Sequence, residues 1–322
     1  MEKVPSTNQV GLPPSLPQKG DGPNIVRWIS DFLSNRSFEV KVGECLSKTG
    51  YAKTGCPQGT VCGSVLFLMY IDQIKHIMTD DVDFYVYADD VKIVKTIRSS
   101  DDCYVLQRVL DDFAIWTTKT GLKLSVNKCG VLRFGHNPPE HVYKIGSESL
   151  SYLKEVRDLG VTFSATLKFS EHTGIVVKRC SLLCAWILRS FTVKQPSLYI
   201  RLYNSHVVPI LNYCCTIWNP ANAGDLDLLE RMQRRFIRRV ESRCAVSLGD
   251  DLMPSCFDRM RNADVKLLRK ITRDETRFDG MFDLLPTASR RGFVLKPKAR
   301  ARTKAIQNLF PWRISSVMNG ND

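Results

Sequence analysis

Several absences narrow the possibilities before any motif is read. No apolar run approaches the roughly 20 residues of a membrane-spanning helix. The longest, Val65 to Ile71, has the length of a buried helix segment. No apolar stretch follows Glu2 and Lys3, so neither a secretory leader nor a membrane partner is expected. There is no C-x-x-C, and the five histidines lie far apart. Cys180 and Cys184 fall at helical spacing with no histidine nearby, so zinc has little to bind. The eleven cysteines are an odd number scattered over 322 residues. That argues against a disulfide framework and for a reducing intracellular compartment, cytoplasmic or nuclear. Acid is also in deficit, with 33 Asp+Glu against 46 Lys+Arg and a net charge of +13. Such a balance points to nucleic acid or an acidic surface without choosing between them.

What is present suffices for folded domains: 43% of residues are hydrophobic, enough to bury a core. Residues 1–23 carry five of the fifteen prolines and read as a poorly ordered lead-in. Ile25, Trp28, Ile29 and Phe32 recur at helical spacing. Phe38 to Gly43 alternates as one strand. Gly55-Cys56-Pro57-Gln58-Gly59 is a turn leading into Val61 to Ile74, apolar on nearly every face and therefore expected inside the protein. Phe84 to Tyr87 and Val91 to Val94 flank Ala88-Asp89-Asp90 as a hairpin. Asp101 can cap the next helix, which Gly121 ends. A loop and strand follow over Leu122 to Phe134, then strand-like pieces at Val142–Ile145 and Leu159–Phe163. From about Lys168 only helices are expected: Ile175 to Phe191, Ser197 to Asn212, Asp225 to Val240 and Ser255 to Thr272. The chain thus reads as α+β, with an all-α half beyond a border near residue 165.

Two adjacent carboxylates on an exposed turn repel one another. A divalent cation between them removes the repulsion, and Mg²⁺ prefers such hard oxygens. Taken alone, the pair is more often a solvated acidic turn. The surroundings of Asp89-Asp90 shift that balance. Gly55-Cys56-Pro57-Gln58-Gly59 lies upstream, and Gly121-Leu122-Lys123-Leu124-Ser125-Val126-Asn127-Lys128-Cys129 downstream. Tyr152-Leu153 and Asp158-Leu159-Gly160-Val161 follow in order.

This ordered set resembles the reverse transcriptases of non-LTR (LINE-type) retrotransposons, over about residues 24–240. The resemblance implies an RNA-directed DNA polymerase with two-metal nucleotidyl transfer. Its partners would be an RNA template, a DNA primer and deoxynucleoside triphosphates, with Mg²⁺ or Mn²⁺ as cofactor. It implies that Asp89 and Asp90 bind metal and that Lys128 sits near the triphosphate, where it can protonate the leaving pyrophosphate. Gly55, Pro57, Gln58 and Gly59 would support the template and the incoming nucleotide. The Leu-Gly turn resembles the primer grip, and Leu202 to Cys214 resembles the helical thumb. In domain terms, residues 1–23 are the lead-in, 24–165 a partial palm, 166–275 a thumb-like region and 276–322 a basic segment. The palm is expected to be an antiparallel sheet with packed helices.

The family's third carboxylate lies upstream, before a stretch that Met1-Glu2-Lys3-Val4-Pro5 briefly resembles. The resemblance implies a chain truncated on that side, without the bridging Asp, the fingers or the endonuclease. Little or no synthesis by residues 1–322 alone is therefore expected. The alternatives are a nucleic-acid-binding remnant and a non-functional product of a decayed element.

One further feature stands on the residues themselves. At 100° per residue Leu229, Met232, Phe236 and Val240 share a helix face, and Arg231, Arg234, Arg235, Arg238 and Arg239 occupy the opposite arc. A charged face is ordinarily just solvated. Five arginines with no acid among them repel one another unless a polyanion is present, which favours phosphate contact. The seven basic residues between Ser289 and Lys304 fit a nucleic-acid arm, a localisation signal or a solvated tail. His206 and the Cys214-Cys215 pair read as packed residues.

Overall fold

The computed structural model describes residues 22–52, 55–135, 139–220, 222–249, 253–273, 282–286, 293–297, 309–311 and 313. The proline-rich lead-in and most of the basic tail lie outside these residues. The chain divides into two compact units: Met1–Val131 with His136–Tyr152, and Leu132–Gly135 with Leu153–Asp322.

The first unit opens with α1 (Pro23–Leu33), then four two-residue strands, β1 (Ser37–Phe38), β2 (Lys41–Val42), β3 (Cys45–Leu46) and β4 (Gly50–Tyr51). β1 pairs with β4 and β2 with β3, both antiparallel. The single strand expected over 38–43 is therefore broken. Gly43, at a left-handed φ of 61°, turns the chain straight back.

Next come α2 (Val61–Ile71), a 3₁₀ turn over Asp72–His76, and the hairpin β5 (Asp83–Tyr87) and β6 (Asp90–Val94). Then follow α3 (Ser100–Thr120), a 3₁₀ turn over Val126–Lys128, β7 (Gly130–Leu132), β8 (Lys144–Ile145) and β9 (Glu148–Ser149). The start of α3 is set by Ser99 and Asp102 rather than by Asp101. The Asp102 carboxylate accepts the backbone N–H of Arg98 (2.8 Å) and of Ser99 (3.0 Å), which holds its pKa below the ordinary range, the Arg98 bond contributing most. Gly121 closes α3 at a left-handed φ of 72°.

The long apolar helix is not enclosed. Only Gly63, Leu66 and Ile71 of α2 are buried, while Val61, Val65 and Leu68, one turn apart, face solvent. Two groups of apolar residues pack against it. Ile29 and its neighbours on α1 pack on Leu66. Phe84, Val86 and Val91 of the hairpin, with Phe113 and Trp116 of α3, pack around Phe67 and Ile71.

The second unit begins with β10 (Ser151–Leu153, at the border), β11 (Glu155–Asp158) and β12 (Val161–Ser164). Helices α4 (Ser170–Ser190), α5 (Pro196–His206), α6 (Val208–Asn212), α7 (Cys215–Trp218), α8 (Ala223–Cys244) and α9 (Cys256–Arg273) follow. The expected helix over 197–212 is split. Pro209 has no N–H to donate and its ring crowds the carbonyl one turn back, so α6 restarts after Val207. The chain does not stay helical to its end either. β13 (Phe282–Pro286) pairs antiparallel with β14 (Phe293–Pro297), two short aromatic- and branched-rich runs that each end in proline.

The helical core gathers Val176, Ile187, Tyr199, Tyr203, Trp218 and Leu229 among others, all essentially inaccessible. Beside it, a bidentate pair joins Arg313 and Asp264 at 2.7 and 2.9 Å. Helix and strand are mixed, as the α+β class requires, and every sheet among the described residues has two strands. No helix among them is long and apolar enough to cross a membrane.

Candidate nucleic-acid and metal sites

Asp89 and Asp90 sit at a hairpin tip. Tyr87 pairs with Asp90 across it, so Ala88 and Asp89 form a two-residue turn. Ala88 takes a left-handed φ of 53°, which costs a residue with a Cβ about 1–2 kcal/mol. Phe84, Val86 and Val91 face the packed side of the hairpin, leaving both carboxylates exposed. Among the described residues, no three His, Cys, Asp or Glu side chains converge into a metal-holding cluster. Two neighbouring carboxylates can hold one hydrated cation through its water shell. They do not make the donor set of a two-ion centre, which fixes both ions roughly 3.5–4 Å apart.

The Pro-Gln-Gly turn is anchored at both ends. Gly55 and Gly59 take left-handed φ values of 79° and 77°, which side chains with a Cβ resist. The Arg36 guanidinium donates to the carbonyls of Leu33 and Gly55, tying the turn to the end of α1. The Thr60 hydroxyl donates to the Pro57 carbonyl (3.0 Å) and accepts the Gly63 N–H (3.1 Å), capping α2. A Cβ on Gly63 would stand 2.3 Å from the Pro57 carbonyl oxygen. Gly63 is thus required for the turn to lie against its helix. Sequence reasoning missed it, although a glycine in the first turn of an apolar helix is a visible oddity. Pro57 is half-buried and Gln58 exposed.

Lys128 ends the 3₁₀ turn after α3 and is exposed. The segment around it is fixed by Leu124, Val126, Cys129 and Val131, which pack on the cluster of Leu110 and Tyr143. α2, the hairpin and the Lys128 segment therefore rest on adjoining apolar clusters of one unit, with Leu124 in two of them.

In the second unit, Leu159 and Gly160 join β11 to β12 as a two-residue turn, with φ of 43° and 86°. Asn-Gly is the usual choice for such a turn, so Leu159 is strained there. Tyr213 holds it: its hydroxyl donates to the Leu159 carbonyl at 2.8 Å, and its ring lies so close that a Cβ on Gly160 would meet it at 3.2 Å. The Trp218 indole N–H in turn donates to the Tyr213 carbonyl at 2.7 Å. His206 lies edge-on to Trp186. Cys215 is buried and Cys214 half-buried in the helical core.

α8 separates two surfaces. Leu229, Met232, Phe236 and Val240 are buried, and Arg231, Arg234, Arg235, Arg238 and Arg239 are exposed. All five line a groove of about 1070 Å³ between α8 and α4, together with Arg189, Arg243, Leu182, Ala185, Leu188 and Ser242. No acid lines it. The arginines are not all without an acid, however. Asp227 lies one and two turns N-terminal and bonds Arg231 (2.8 Å) and Arg234 (3.1 Å). Arg243 is also engaged, donating to the carbonyls of Leu188 and Phe191 at the end of α4, where a cation opposes the negative end of the helix dipole. Arg189 and Arg243 escaped sequence reasoning because their place in the groove depends on how α4 and α8 pack.

Residues 15–163 match the family model described as reverse transcriptase (RNA-dependent DNA polymerase). An uncharacterised protein of Caenorhabditis elegans is 39% identical over 93 residues, covering 29% of this chain and 47% of that protein. The RNA-directed DNA polymerase from mobile element jockey of Drosophila funebris is 23% identical over 229 residues, covering 68% of this chain and 25% of its own. The probable RNA-directed DNA polymerase from transposon X-element of Drosophila melanogaster is 24% identical over 226 residues, 66% of this chain and 24% of that one. The chain thus spans less than half the length of these curated relatives.

Proposed function

We propose, for a chain that carries a reverse transcriptase domain of LINE type over residues 15–163, that residues 1–322 bind nucleic acid and do not by themselves carry out nucleotidyl transfer. The observation behind the first half is the groove between α4 and α8, lined by seven arginines and, among the described residues, no acid. Like charges at that density are relieved by a polyanion. The second half follows from the donor set at the hairpin tip. In this reading Asp89 and Asp90 hold a single Mg²⁺ or Mn²⁺ weakly. Gly55, Pro57, Gln58 and Gly59 face the nucleotide and template. Lys128 stands near the triphosphate, and the turn at Leu159-Gly160 supports a primer end. Residues 24–165 correspond to a partial palm and the helices over 166–275 to a thumb. The ancestral reaction is RNA-templated addition of deoxynucleotides to a DNA 3′ end. Among the described residues no third carboxylate joins the pair; with no bridging ligand the attacking hydroxyl and the leaving group are not both neutralised, and misplacement by about an ångström already costs roughly a hundredfold.

The experiment pairs two measurements on the full chain. Incorporation of labelled deoxynucleotide on a primed RNA template, in Mg²⁺ or Mn²⁺, is expected to match the Asp89→Asn background. Retardation of the same primed template in a low-salt gel is expected to be clear. Robust incorporation that Asp89→Asn abolishes would overturn the catalytic half, and absent retardation the binding half.

A further inference from the structure

The acids of α8 do not share one task. Asp225 accepts the Ser170 hydroxyl at the start of α4, Glu230 accepts the Phe257 N–H in the first turn of α9 (3.1 Å), and Glu241 accepts the Leu248 N–H beyond the end of α8 (2.8 Å). Each of these three fastens α8 to another part of the helical unit. Asp227 does not. Among the described residues its bonds go to arginines of the groove: Arg231 Nε donates to Oδ2 at 2.8 Å, and Arg234 Nη2 to Oδ1 at 3.1 Å. The three side chains are about half exposed, so the cluster joins no second element and adds nothing to the core.

The Arg231 bond is an ordinary helical pair, four residues on. The Arg234 bond is not. Seven residues amount to about 10.5 Å of helix rise, so Arg234 extends back over nearly two turns to reach the same carboxylate. Arg235, Arg238 and Arg239 lie C-terminal to it and repel it in that direction. A carboxylate shared by two guanidiniums has the charge and the acceptor oxygens of a bound phosphate. Asp227 thus fills, from within the chain, an anion site at the N-terminal margin of the groove, and both of its arginines are groove residues. We propose that Asp227 is a built-in competitor of nucleic acid: it holds Arg231 and Arg234 away from the phosphates of a bound strand, and so sets how tightly and how salt-sensitively the groove binds. This rests on the nucleic-acid reading of the arginine face. It adds to that reading an affinity-setting acid, and it assigns the phosphate contacts to Arg235, Arg238 and Arg239 with Arg189 of α4.

The test compares the full chain with Asp227→Asn, Arg234→Ala and the double variant, and uses Glu171→Gln as a charge-matched control. Glu171 is the one acid of α4 and lies in its first turn, well before Leu182, the first groove residue in chain order. The probe is a fluorescein-labelled 15-mer of deoxythymidine, followed by anisotropy as salt is raised. Asp227→Asn frees two arginines, so the slope of log K against log salt should steepen from about −2.8 to about −4.2. Low-salt affinity should rise about five- to tenfold, the scale of two exposed ion pairs that no longer compete. Arg234→Ala should barely move the slope of the parent but flatten that of Asp227→Asn by about 0.7. Glu171→Gln removes the same charge and should keep the parental slope. An Asp227→Asn slope equal to the parent's would overturn the competitor role and leave nucleic-acid binding standing. So would equal effects of Arg234→Ala in both backgrounds, or a Glu171→Gln variant that matches Asp227→Asn. No binding of the strand by any of these proteins would overturn both.

Discussion

The arginine groove makes a quantitative forecast through salt. Each protein cation that displaces a condensed counterion contributes to the slope of log K against log salt, about −0.7 per phosphate on a single strand. Seven arginines line the groove, but they are not equivalent. Arg231 and Arg234 share Asp227, and Arg243 is engaged by two backbone carbonyls and the Tyr199 ring. That leaves Arg189, Arg235, Arg238 and Arg239 as the cations most available to a ligand. Four contacts give a slope of about −2.8, so affinity should drop about fiftyfold between 50 and 200 mM salt. Replacing Arg235, Arg238 and Arg239 by Ala should leave a slope near −0.7 and a loss of only about threefold over the same range. Arg234→Ala is the internal control. Its charge is already met by Asp227, so the slope should barely move. Fluorescence anisotropy of a labelled strand at five or six salt concentrations measures all three proteins, and a thermal melt confirms that each is folded. A triple variant with the parental slope would show that the arginine face is merely solvated. A single Arg234 change as large as the triple one would refute the ranking by ion pairing.

Two stability predictions concern the helical unit. Asp264 is almost fully buried and receives two hydrogen bonds from Arg313, whose guanidinium also donates to the Thr216 carbonyl at 2.9 Å. Asp264→Ala strands that guanidinium in the interior and should cost about 3–5 kcal/mol, read as a lower urea midpoint; Asp264→Leu with Arg313→Met should recover most of it. An unchanged midpoint in Asp264→Ala would contradict the buried pair. His172 is the second case. Its Nδ1 accepts the Thr162 N–H at 3.2 Å, and burial first, then the Arg157 charge, pushes its pKa below 6.5. A depressed folded value means that the unfolded chain takes up the proton first as pH falls. The contribution is therefore complete above about 6.5 and is lost progressively below it. Urea midpoints measured from pH 7.5 down to 5 should decline more steeply in the parent than in His172→Gln, and parallel curves would remove His172 from the account.

Local signals carried far in this sequence, and long-range ones did not. The alternation around Asp89-Asp90 gave the hairpin, the 3.6-residue spacing on α8 separated its core residues from its arginines, and Gly121 ended α3. In each case the cause acts within one element. Some misreadings have the opposite property, whereas the helix split at Pro209 and the cap at Ser99 were written locally and passed over. α2 looked enclosed because its residues are apolar, but enclosure depends on what else packs there, and Val61, Val65 and Leu68 stay half or more exposed. The α8 arginines looked free of acid because Asp227 lies just outside the window that holds them. The places of Arg189 and Arg243 in the groove, and the Arg313–Asp264 pair, bring together positions about 40 to 55 residues apart, which no local pattern encodes.

The same distinction bears on the chemistry. A binding groove of this kind needs two helices, a core to hold them and charge on their outer faces. All of that lies within one unit whose interior includes Tyr199, Tyr203, Trp218, Leu229 and Phe236, each nearly inaccessible. Removing one arginine weakens such a groove by a step and does not abolish it. A two-ion centre is less divisible. Its carboxylates must converge from separate elements to within a few ångströms, and lacking one of them removes a metal rather than a fraction of the rate. Among its described residues the first unit supplies one element of that kind, the hairpin tip, and a turn held by Arg36, Thr60 and Gly63. The proposed nucleic-acid binding by residues 1–322 therefore does not depend on nucleotidyl transfer, and each half of the proposed function can fail without the other.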